Sequence, residues 1–351
     1  MMAPTSATNA SPPRHSPQNV PLSGGLTGAA GQEGPAGSYA TRGSRATSSS
    51  GGAARERQVG VGVLLEPFTK QRWETLSPGR IRRLFYRATV LATGAGLRRG
   101  RLGLMLVIAH VSDTHFGDDL GAAGGRAAAV MDHLLAMEPR PDVLVVTGDV
   151  ADHGLPHEYD EARAWLDRWA GPREVCLGNH DVRAAFAAGL GVDPNAVLEV
   201  GGVRFVMLDS LVDAVDGRRV DEGSLGHDQL AWLEEQLAAD GRPTYVCLHH
   251  PPLTINLELM DPFRLLDGEA LAAVLTRHPH VVATLVGHAH TMGVTSFAGR
   301  PLLIGGGVVS AVTADSERLP QLWYGAPPSF ALHLVDDDGR VTTHWRALPQ
   351  S

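Results

Sequence analysis

Five short polar segments, each directly after an apolar run, contain side chains that could hold metal ions. In the first, Asp113 and His115 stand two residues apart behind the apolar run 106–111. Side chains with that spacing leave an extended backbone on the same side, so a carboxylate and an imidazole can converge on one cation. Asp-x-His also occurs by chance in many loops. This pair alone is therefore weak evidence for a metal site.

Four further apolar runs downstream also end in potential ligands. These segments contribute Asp149, Asn179 with His180, His249, and His288 with His290. Ligands of open α/β sheets collect outside the carboxyl ends of the strands. A single Asp at such a place could cap a helix, and a single His could be an ordinary surface or core residue. Five segments in succession are hard to explain in that way, so we expect one shared metal site.

The apolar pattern from residue 106 onward predicts strands that alternate with helices. Strands are predicted at 106–111, 142–147, 174–177, 203–208, 244–248, 281–286, 301–304, 330–336 and 341–346. Helices are predicted at 122–137, 158–169, 226–239 and 269–277. The last two strands form a hairpin around Asp338-Gly339. This order predicts an α/β layered domain over residues 105–347, with a short tail at 348–351.

Residues 1–104 differ in composition from the rest of the chain. They contain 13 Arg and one Lys against four Glu, a formal charge of +10, which leaves −18 for the remainder of a chain whose net charge is −8. Residues 1–58 are rich in Ser, Gly, Ala, Thr and Pro and cannot bury enough apolar surface to offset chain entropy. We therefore expect 1–104 to be a disordered, basic, low-complexity extension. This extension is interpreted either as a targeting peptide or as a segment upstream of a native translation start at Met105.

The acidic composition of residues 105–351 bears on which binding partners the protein can have, and the apolar pattern bears on where in the cell it is located. An acidic domain lacks the positive face that phosphate backbones require, so no binding to nucleic acid is expected. The sequence contains no apolar run of membrane-spanning length and no signal-peptide core near Met1, so we expect no membrane span and a cytoplasmic location. Cys176 and Cys247 lie within short apolar runs and are interpreted as buried free thiols.

Taken in order, the five polar segments resemble the motifs of the calcineurin-like metallophosphoesterase family. They read Asp-x-His, Gly-Asp, Gly-Asn-His-Asp, His-His-Pro-Pro and Gly-His-x-His, and the resemblance extends over residues 106–346. It implies a four-layer α-β-β-α sandwich with a dinuclear metal site at the carboxyl ends of the strands. It assigns one metal ion to Asp113, His115, Asp149 and His290. It assigns the other to Asp149, Asn179, His249 and His288, so that Asp149 bridges the two ions.

The ligand types fit this assignment on chemical grounds. Mixed imidazole, carboxylate and amide oxygen suits Mn²⁺, Fe²⁺/Fe³⁺ or Zn²⁺, whereas Mg²⁺ prefers oxygen ligands alone. Two ions held about 3.5–4 Å apart can generate hydroxide at neutral pH and clamp phosphoryl oxygens. A hydroxide that bridges the ions would then be the nucleophile, and no protein nucleophile is required. The expected activity is hydrolysis of a small-molecule phosphoester.

The resemblance also implies roles for two residues outside the metal ligands. His180 would lie beside the phosphate and donate a hydrogen bond to the transition state or a proton to the leaving oxygen. Asp152 matches the position that pairs with this histidine in relatives and would hold it protonated. Asp181 also belongs to the motif, and we expect it to be structural and to cap the chain segment after it.

Finer resemblances favour a diester substrate. His153 stands where protein Ser/Thr phosphatases of this superfamily have an arginine, and its absence removes a bidentate phosphate clamp. Several segments resemble the bacterial class III cyclic-nucleotide phosphodiesterase and glycerophosphodiesterase branch: Ser112-Asp113-Thr114-His115, Leu208-Asp209-Ser210, Gln229-x-x-Trp232-Leu233, and His249-His250-Pro251-Pro252 with Met260-Asp261 after it. The leading hypothesis is a phosphodiesterase acting on 3′,5′-cyclic AMP or a related diester.

Alternatives to this hypothesis stay open. A phosphomonoesterase or a hydrolase of glycerophosphodiesters or lipid head groups is the nearest rival, and a non-catalytic binding protein is a remote one. In relatives the loop over 253–266 can also join subunits, so the resemblance allows for a homodimer.

Overall fold

The computed structural model describes residues 98–100 and 103–349, with side chains described from residue 106 onward. The prediction for residues 1–104 falls almost wholly outside the described residues, and so does the end of the predicted tail at 350–351. Within the predicted extension, the structure places a short strand at Arg98–Gly100, and the next strand already begins at Gly103 rather than at Leu106.

Strands and helices alternate along the described part of the chain. The strands are β1 (Arg98–Gly100), β2 (Gly103–Val111), β3 (Val143–Thr147), β4 (Arg173–Cys176), β5 (Ala196–Val200), β6 (Val203–Met207), β7 (Thr244–Cys247), β8 (Val281–Val286), β9 (Gly293–Phe297), β10 (Arg300–Ile304), β11 (Ala311–Val312), β12 (Leu322–Trp323), β13 (Ser329–Val335) and β14 (Val341–Ala347). The α-helices are α1 (Ala123–Ala136), α2 (Pro156–Leu166), α3 (Arg183–Leu190), α4 (Gly226–Ala238) and α5 (Gly268–Thr276).

Two mixed sheets form the centre of the fold. The first has the order β14-β13-β2-β3-β4, with β1 paired to β2, and the second has the order β5-β6-β7-β8-β10-β9. Each sheet contains a run of neighbouring parallel strands, namely β2-β3-β4 in the first and β6-β7-β8-β10 in the second. The carboxyl ends of these parallel strands therefore lie along one edge of each sheet, which is where ligand-binding loops are expected.

The side chains of the central strands alternate between two apolar cores. In β3, Val143 and Val145 belong to the core between the sheets, whereas Leu144 and Val146 pack under α1, α2 and α3. Successive side chains of a strand point to opposite faces, so a strand covered on both faces must be apolar throughout. The second sheet repeats this arrangement against α4 and α5. The prediction of a four-layer α-β-β-α sandwich is confirmed.

Several elements were not predicted, among them the short β11 and β12, and three of them, α3, β5 and β9, have a weak sequence pattern. Of the residues of α3, only Phe186 is fully buried, so this short Ala-rich helix shows no long apolar stripe. β5 and β9 lie at the two edges of the second sheet, where one face of the strand is exposed and the apolar signal is diluted. The predicted hairpin at the end of the chain forms between β13 and β14.

No helix among the described residues is both long enough and apolar enough to span a membrane.

Candidate metal centre

The predicted ligands lie in loops that leave the carboxyl ends of parallel strands. Asp113 and His115 come after β2, Asp149 after β3, Asn179 after β4, His249 after β7, and His288 and His290 after β8. A hydrogen bond joins the two sheets here, because His288 N, after β8, donates to Asp113 Oδ1, after β2, over 3.1 Å. A Cβ atom on Gly287 would lie 1.8 Å from Ser112 Oγ, so this approach requires glycine.

One set of ligand atoms surrounds the position between β2 and β8. His115 Nε2 lies 3.3 Å from His290 Nε2 and 3.6 Å from Asp149 Oδ2, and His290 Nε2 lies 3.4 Å from Asp113 Oδ1. All four side chains are buried. Ligand bonds of about 2.1 Å place neighbouring donor atoms about 3.0 Å apart in an octahedral site and about 3.4 Å apart in a tetrahedral one. The observed spacing matches donors arranged around one ion.

A second set of ligand atoms adjoins the first. His249 Nε2 lies 3.1 Å from Asn179 Oδ1, 3.2 Å from His288 Nδ1 and 3.3 Å from Asp149 Oδ2. The same oxygen of Asp149 therefore faces His115 in the first set and His249 in the second. A carboxylate in this position can serve two ions at once.

The hydrogen bonds of the imidazoles leave lone pairs directed at these positions. His115 Nδ1 donates to Asp152 Oδ1 over 2.8 Å, and His249 Nδ1 donates to the carbonyl of Thr147 over 2.7 Å. Fixing Nδ1 in this way leaves Nε2 as the ligand atom, as in many metal sites. Among the described residues, Asp113 Oδ2 and His288 Nε2 are buried without a hydrogen-bond partner. The unpaired carboxylate oxygen of Asp113 is an acceptor that a cation can satisfy, so these residues fit a metal centre.

The buried charges of this cluster shift the pKa values in opposite directions. Burial raises the pKa of Asp113 to about 6. Burial lowers the pKa of His249, but the charges of Asp149 and Asp113 and the hydrogen bonds to Asp149 and Thr147 together outweigh it and raise that pKa to about 9. Burial also acts to raise the pKa of Asp149, yet His249 and His180 hold it well below its usual range. Titratable groups with opposed shifts in one cluster are typical of functional sites.

Five predicted ligands adopt a left-handed backbone. The residues with positive φ are Asp113 (56°), His115 (44°), Asp149 (47°), His288 (65°) and His290 (46°). Non-glycine residues rarely adopt this conformation, and each instance costs free energy that the surrounding structure must offset. The strain turns successive ligands of one loop toward a common point.

Comparison with known proteins identifies the family. The model of the calcineurin-like phosphoesterase family matches residues 106–292. The chain belongs to this family. A probable cyclic nucleotide phosphodiesterase of a Synechococcus species is 34% identical over 257 residues, which cover 69% of this chain and 93% of that protein. The glycerophosphodiester phosphodiesterase GpdQ of Enterobacter lignolyticus is 32% identical over 248 residues, 65% of this chain and 86% of that protein.

A solved structure supports the fold of this metallophosphoesterase. A dimetal phosphatase from Danio rerio superposes with a TM-score of 0.53 at 16% sequence identity, over 69% of this chain and 96% of that one. The predicted family and the predicted class of enzyme, a phosphoester hydrolase, are confirmed.

The two residues predicted to assist the metallophosphoesterase reaction lie at the edge of the metal centre. His180 Nδ1 donates to the backbone carbonyl of Asp152 over 2.7 Å and lies 3.3 Å from its carboxylate. The shorter carboxylate contact of Asp152 is the one to His115, so Asp152 orients a predicted ligand as well as His180. The His180 side chain is 20% exposed, so one edge of the ring remains accessible from solvent.

Asp181 differs from the expectation that it caps the chain segment after it. Its carboxylate accepts hydrogen bonds from Val150 N (3.1 Å), Ala151 N (3.0 Å) and Gly178 N (2.9 Å), and from Tyr159 Oη (3.1 Å). It therefore ties the loop after β3 to the loop after β4. Burial raises its pKa to about 6. Asp181 fixes the relative position of the predicted ligands Asp149 and Asn179.

Sequence reasoning missed two charged residues beside the centre. Asp221 Oδ1 accepts a hydrogen bond from Asn179 Nδ2 over 3.1 Å, and Arg219 Nη1 lies 2.9 Å from His180 Nδ1. Both belong to the loop between β6 and α4. No motif marks them. The available signal was the Arg218-Arg219 pair within an otherwise acidic loop.

Proposed function

We propose that this metallophosphoesterase hydrolyses phosphodiesters with two metal ions bound at the candidate centre. The observation that carries the proposal is the position of Asp149 Oδ2, which lies 3.6 Å from His115 Nε2 and 3.3 Å from His249 Nε2. One carboxylate oxygen thus joins two sets of buried ligand atoms. A single ion would need only one of these sets.

The proposed ligands are those of the two sets. One ion would be held by Asp113, His115, Asp149 and His290, and the other by Asp149, Asn179, His249 and His288. Their mixture of imidazole, carboxylate and amide favours Mn²⁺, iron or Zn²⁺. Such ions, when bound, supply a nucleophile from water at neutral pH and compensate the charge of the phosphoryl group.

The chain itself supplies orientation and a proton donor. Asp152 holds His115 through Nδ1, and the Thr147 carbonyl holds His249 in the same way. His180 is fixed through Nδ1, so its Nε2 is the nitrogen that can donate a proton to the leaving oxygen. This donor matters most for a diester, whose alkoxide leaving group is poor.

Three observations support a diester substrate. His153 replaces the arginine that clamps monoester phosphates, and its Nδ1 donates to Glu158 Oε1 over 3.0 Å. The two relatives compared with this chain are a probable cyclic nucleotide phosphodiesterase and a glycerophosphodiester phosphodiesterase. A monoanionic diester also requires less positive charge than a dianionic monoester. We propose 3′,5′-cyclic AMP or a related diester as the substrate, with glycerophosphodiesters as the second candidate.

The organisation of the chain is part of the same proposal. We propose that residues 105–347 form the catalytic domain and that residues 1–104 are a basic extension of it. The cytoplasmic location and the homodimer stay predictions. Fractionation of the native host checks the first, and light scattering of the purified protein checks the second.

The test compares two chromogenic substrates. Protein loaded with Mn²⁺ is assayed with bis(p-nitrophenyl) phosphate and with p-nitrophenyl phosphate, alongside Asn179→Ala and the exposed helix variant Glu235→Ala as a control. We expect a clear preference for the diester, loss of activity in Asn179→Ala and wild-type activity in Glu235→Ala. Preference for the monoester would contradict the diester proposal. No cleavage of either substrate would favour a non-catalytic binding protein.

A further inference from the structure

A tight hairpin projects from the loop between β6 and α4. Val215 and Arg218 pair through two backbone hydrogen bonds of 3.0 and 2.9 Å. The two residues between them, Asp216 and Gly217, have φ angles of 50° and 73°. Two central residues with positive φ define a type I′ turn, for which Asp-Gly is a favoured sequence. The local sequence therefore fixes the turn, and the chain that leaves it runs past the metal centre.

Asp221 lies on the returning chain and contacts a proposed ligand. Its Oδ1 accepts hydrogen bonds from Asn179 Nδ2 over 3.1 Å and from Arg219 Nε over 2.6 Å. A carboxylate can only accept hydrogen bonds, so it selects the amide orientation in which Nδ2 faces it. Asn179 Oδ1 then faces the metal position, 3.1 Å from His249 Nε2. An alanine at 221 would leave the amide free to rotate.

The base of the loop is attached firmly enough to hold Asp221 in place. A Cβ atom on Gly223 would lie 2.4 Å from the buried ring of His250, so the backbone there packs directly on that ring. Gly223 N donates to Arg264 O over 3.3 Å, and Leu266 N donates to Gly223 O over 2.8 Å. Backbone attachment on both sides gives Asp221 the fixed position that orientation of a ligand requires.

Arg219 balances the charge of Asp221. The Arg219 side chain is 46% exposed and that of Asp221 is 35% exposed. Ion pairs exposed to this extent contribute little to stability, so this pair does little to hold the fold together. The guanidinium of Arg219 offsets the negative charge of Asp221 beside a site that must accept an anion. Asp221 can then serve as a hydrogen-bond acceptor without repelling the substrate.

We propose that Asp221 is a positioning residue that orients Asn179 as a metal ligand, and that Arg219 compensates its charge. This inference rests on the proposed dinuclear centre and deepens it. Loss of a residue that orients a metal ligand typically costs 10–100-fold in metal affinity or activity. Only the ligand set that contains Asn179 depends on Asp221. Loss of Asp221 should therefore lower the metal affinity of one position and leave that of the other unchanged.

The test is a calorimetric titration of Mn²⁺ into chelator-treated full-length protein. We expect two binding events in the wild type. In Asp221→Ala, one event weakens about 10–100-fold while the other stays within about twofold. Asp221→Asn keeps an acceptor oxygen and should recover most of the affinity. Glu222→Ala removes the next carboxylate in the chain and should bind both ions as the wild type does.

Thermal unfolding of the same variants separates positioning from a structural role. We expect the melting temperature of Asp221→Ala to stay within a few degrees of the wild type, because the pair is half exposed. Unchanged binding of both ions in Asp221→Ala, or equal weakening of both, would overturn this inference and leave the proposed function intact. A wild-type protein that binds fewer than two ions would overturn the proposed function and this inference together.

Discussion

Two groups of buried histidines, one within the first sheet and one at the metal centre, differ in their partners. In the first group, His110 Nδ1 lies 3.1 Å from His333 Nε2, His110 Nε2 lies 2.8 Å from Thr147 Oγ1, and His333 Nδ1 lies 2.9 Å from Thr343 Oγ1. Every ring nitrogen of this pair has a hydrogen-bond partner, and none of these partners is a carboxylate. Burial lowers the pKa of His110 to about 3, so the ring is neutral.

The histidines of the metal centre are equally buried but surround carboxylates. His249 Nε2 lies 3.3 Å from Asp149 Oδ2, and its pKa is raised to about 9, against the effect of burial. Thr147 joins the two groups, since its hydroxyl contacts His110 and its carbonyl accepts from His249. Burial alone therefore gives a neutral, structural histidine pair. An arrangement that can bind metal ions forms where carboxylates and the lone pairs of imidazoles lie close together.

Removing the shared carboxylate should make the metal centre resemble the His110–His333 pair. Asp149→Asn replaces the carboxylate that serves both proposed ions by a neutral amide, and compensation of phosphoryl charge by the ions is worth several kcal/mol. We expect kcat/KM for bis(p-nitrophenyl) phosphate to fall at least about 1,000-fold, with Mn²⁺ binding reduced in calorimetry. Asp228→Asn on the exposed side of α4 serves as control. Activity within tenfold of the wild type would contradict the role of Asp149.

His180 lies between the two extremes, since it contacts a carboxylate and is not among the proposed ligands. His180→Ala should lower kcat for 3′,5′-cyclic AMP about 100–10,000-fold, the range expected for general acid catalysis. The loss should be smaller for bis(p-nitrophenyl) phosphate, whose leaving group needs less protonation. Metal stoichiometry should stay at two ions, and the exposed variant His227→Ala should behave as the wild type. Equal losses for both substrates would argue against a proton donor.

The His110–His333 pair should affect acid stability rather than activity. Because burial lowers both pKa values in the folded protein, the unfolded state takes up protons first as the pH falls below about 6.5. The contribution of the neutral pair to the free energy of unfolding is therefore fully present above this pH and is lost as the pH falls below it. Between pH 7.5 and 5.5 each neutral histidine should account for about 1.4 kcal/mol of the decrease.

Urea unfolding measures this effect at the two pH values. In the double variant His110→Leu/His333→Leu, the decrease in unfolding free energy should be about 2.7 kcal/mol smaller than in the wild type. His344→Leu on β14, outside this hydrogen-bond chain, should leave the decrease close to the wild-type value. A decrease in the double variant equal to that of the wild type would show that the pair does not titrate on unfolding.

Much of the fold was predictable because the buried strands are continuous apolar runs. β3 and β8 are covered on both faces, so their sequences contain few polar residues, and polar residues then mark where each strand ends. Because ligands collect at the carboxyl ends of the strands, the predicted metal ligands could also be expected together at one edge. Edge strands such as β5 and β9, and the Ala-rich α3, lack this contrast and were missed.

Other features of the site depend on three-dimensional packing that no local pattern encodes. Asp113 and His288 adopt a left-handed backbone, whereas the sequence shows only ordinary Asp and His there. Asp181 was expected to cap the chain segment after it, but its carboxylate reaches back to Ala151, 30 residues earlier in the chain. Asp221 lies 42 residues after Asn179, and only the folded chain brings them together.

The central claim is that two ions share Asp149, and anomalous diffraction from crystals grown with Mn²⁺ tests it most directly. We expect two anomalous peaks about 3.5–4 Å apart, with Asp149 bound to both, Asn179 bound to one and Asp113 bound to the other. A single peak, or two peaks that share no protein oxygen, would contradict this account.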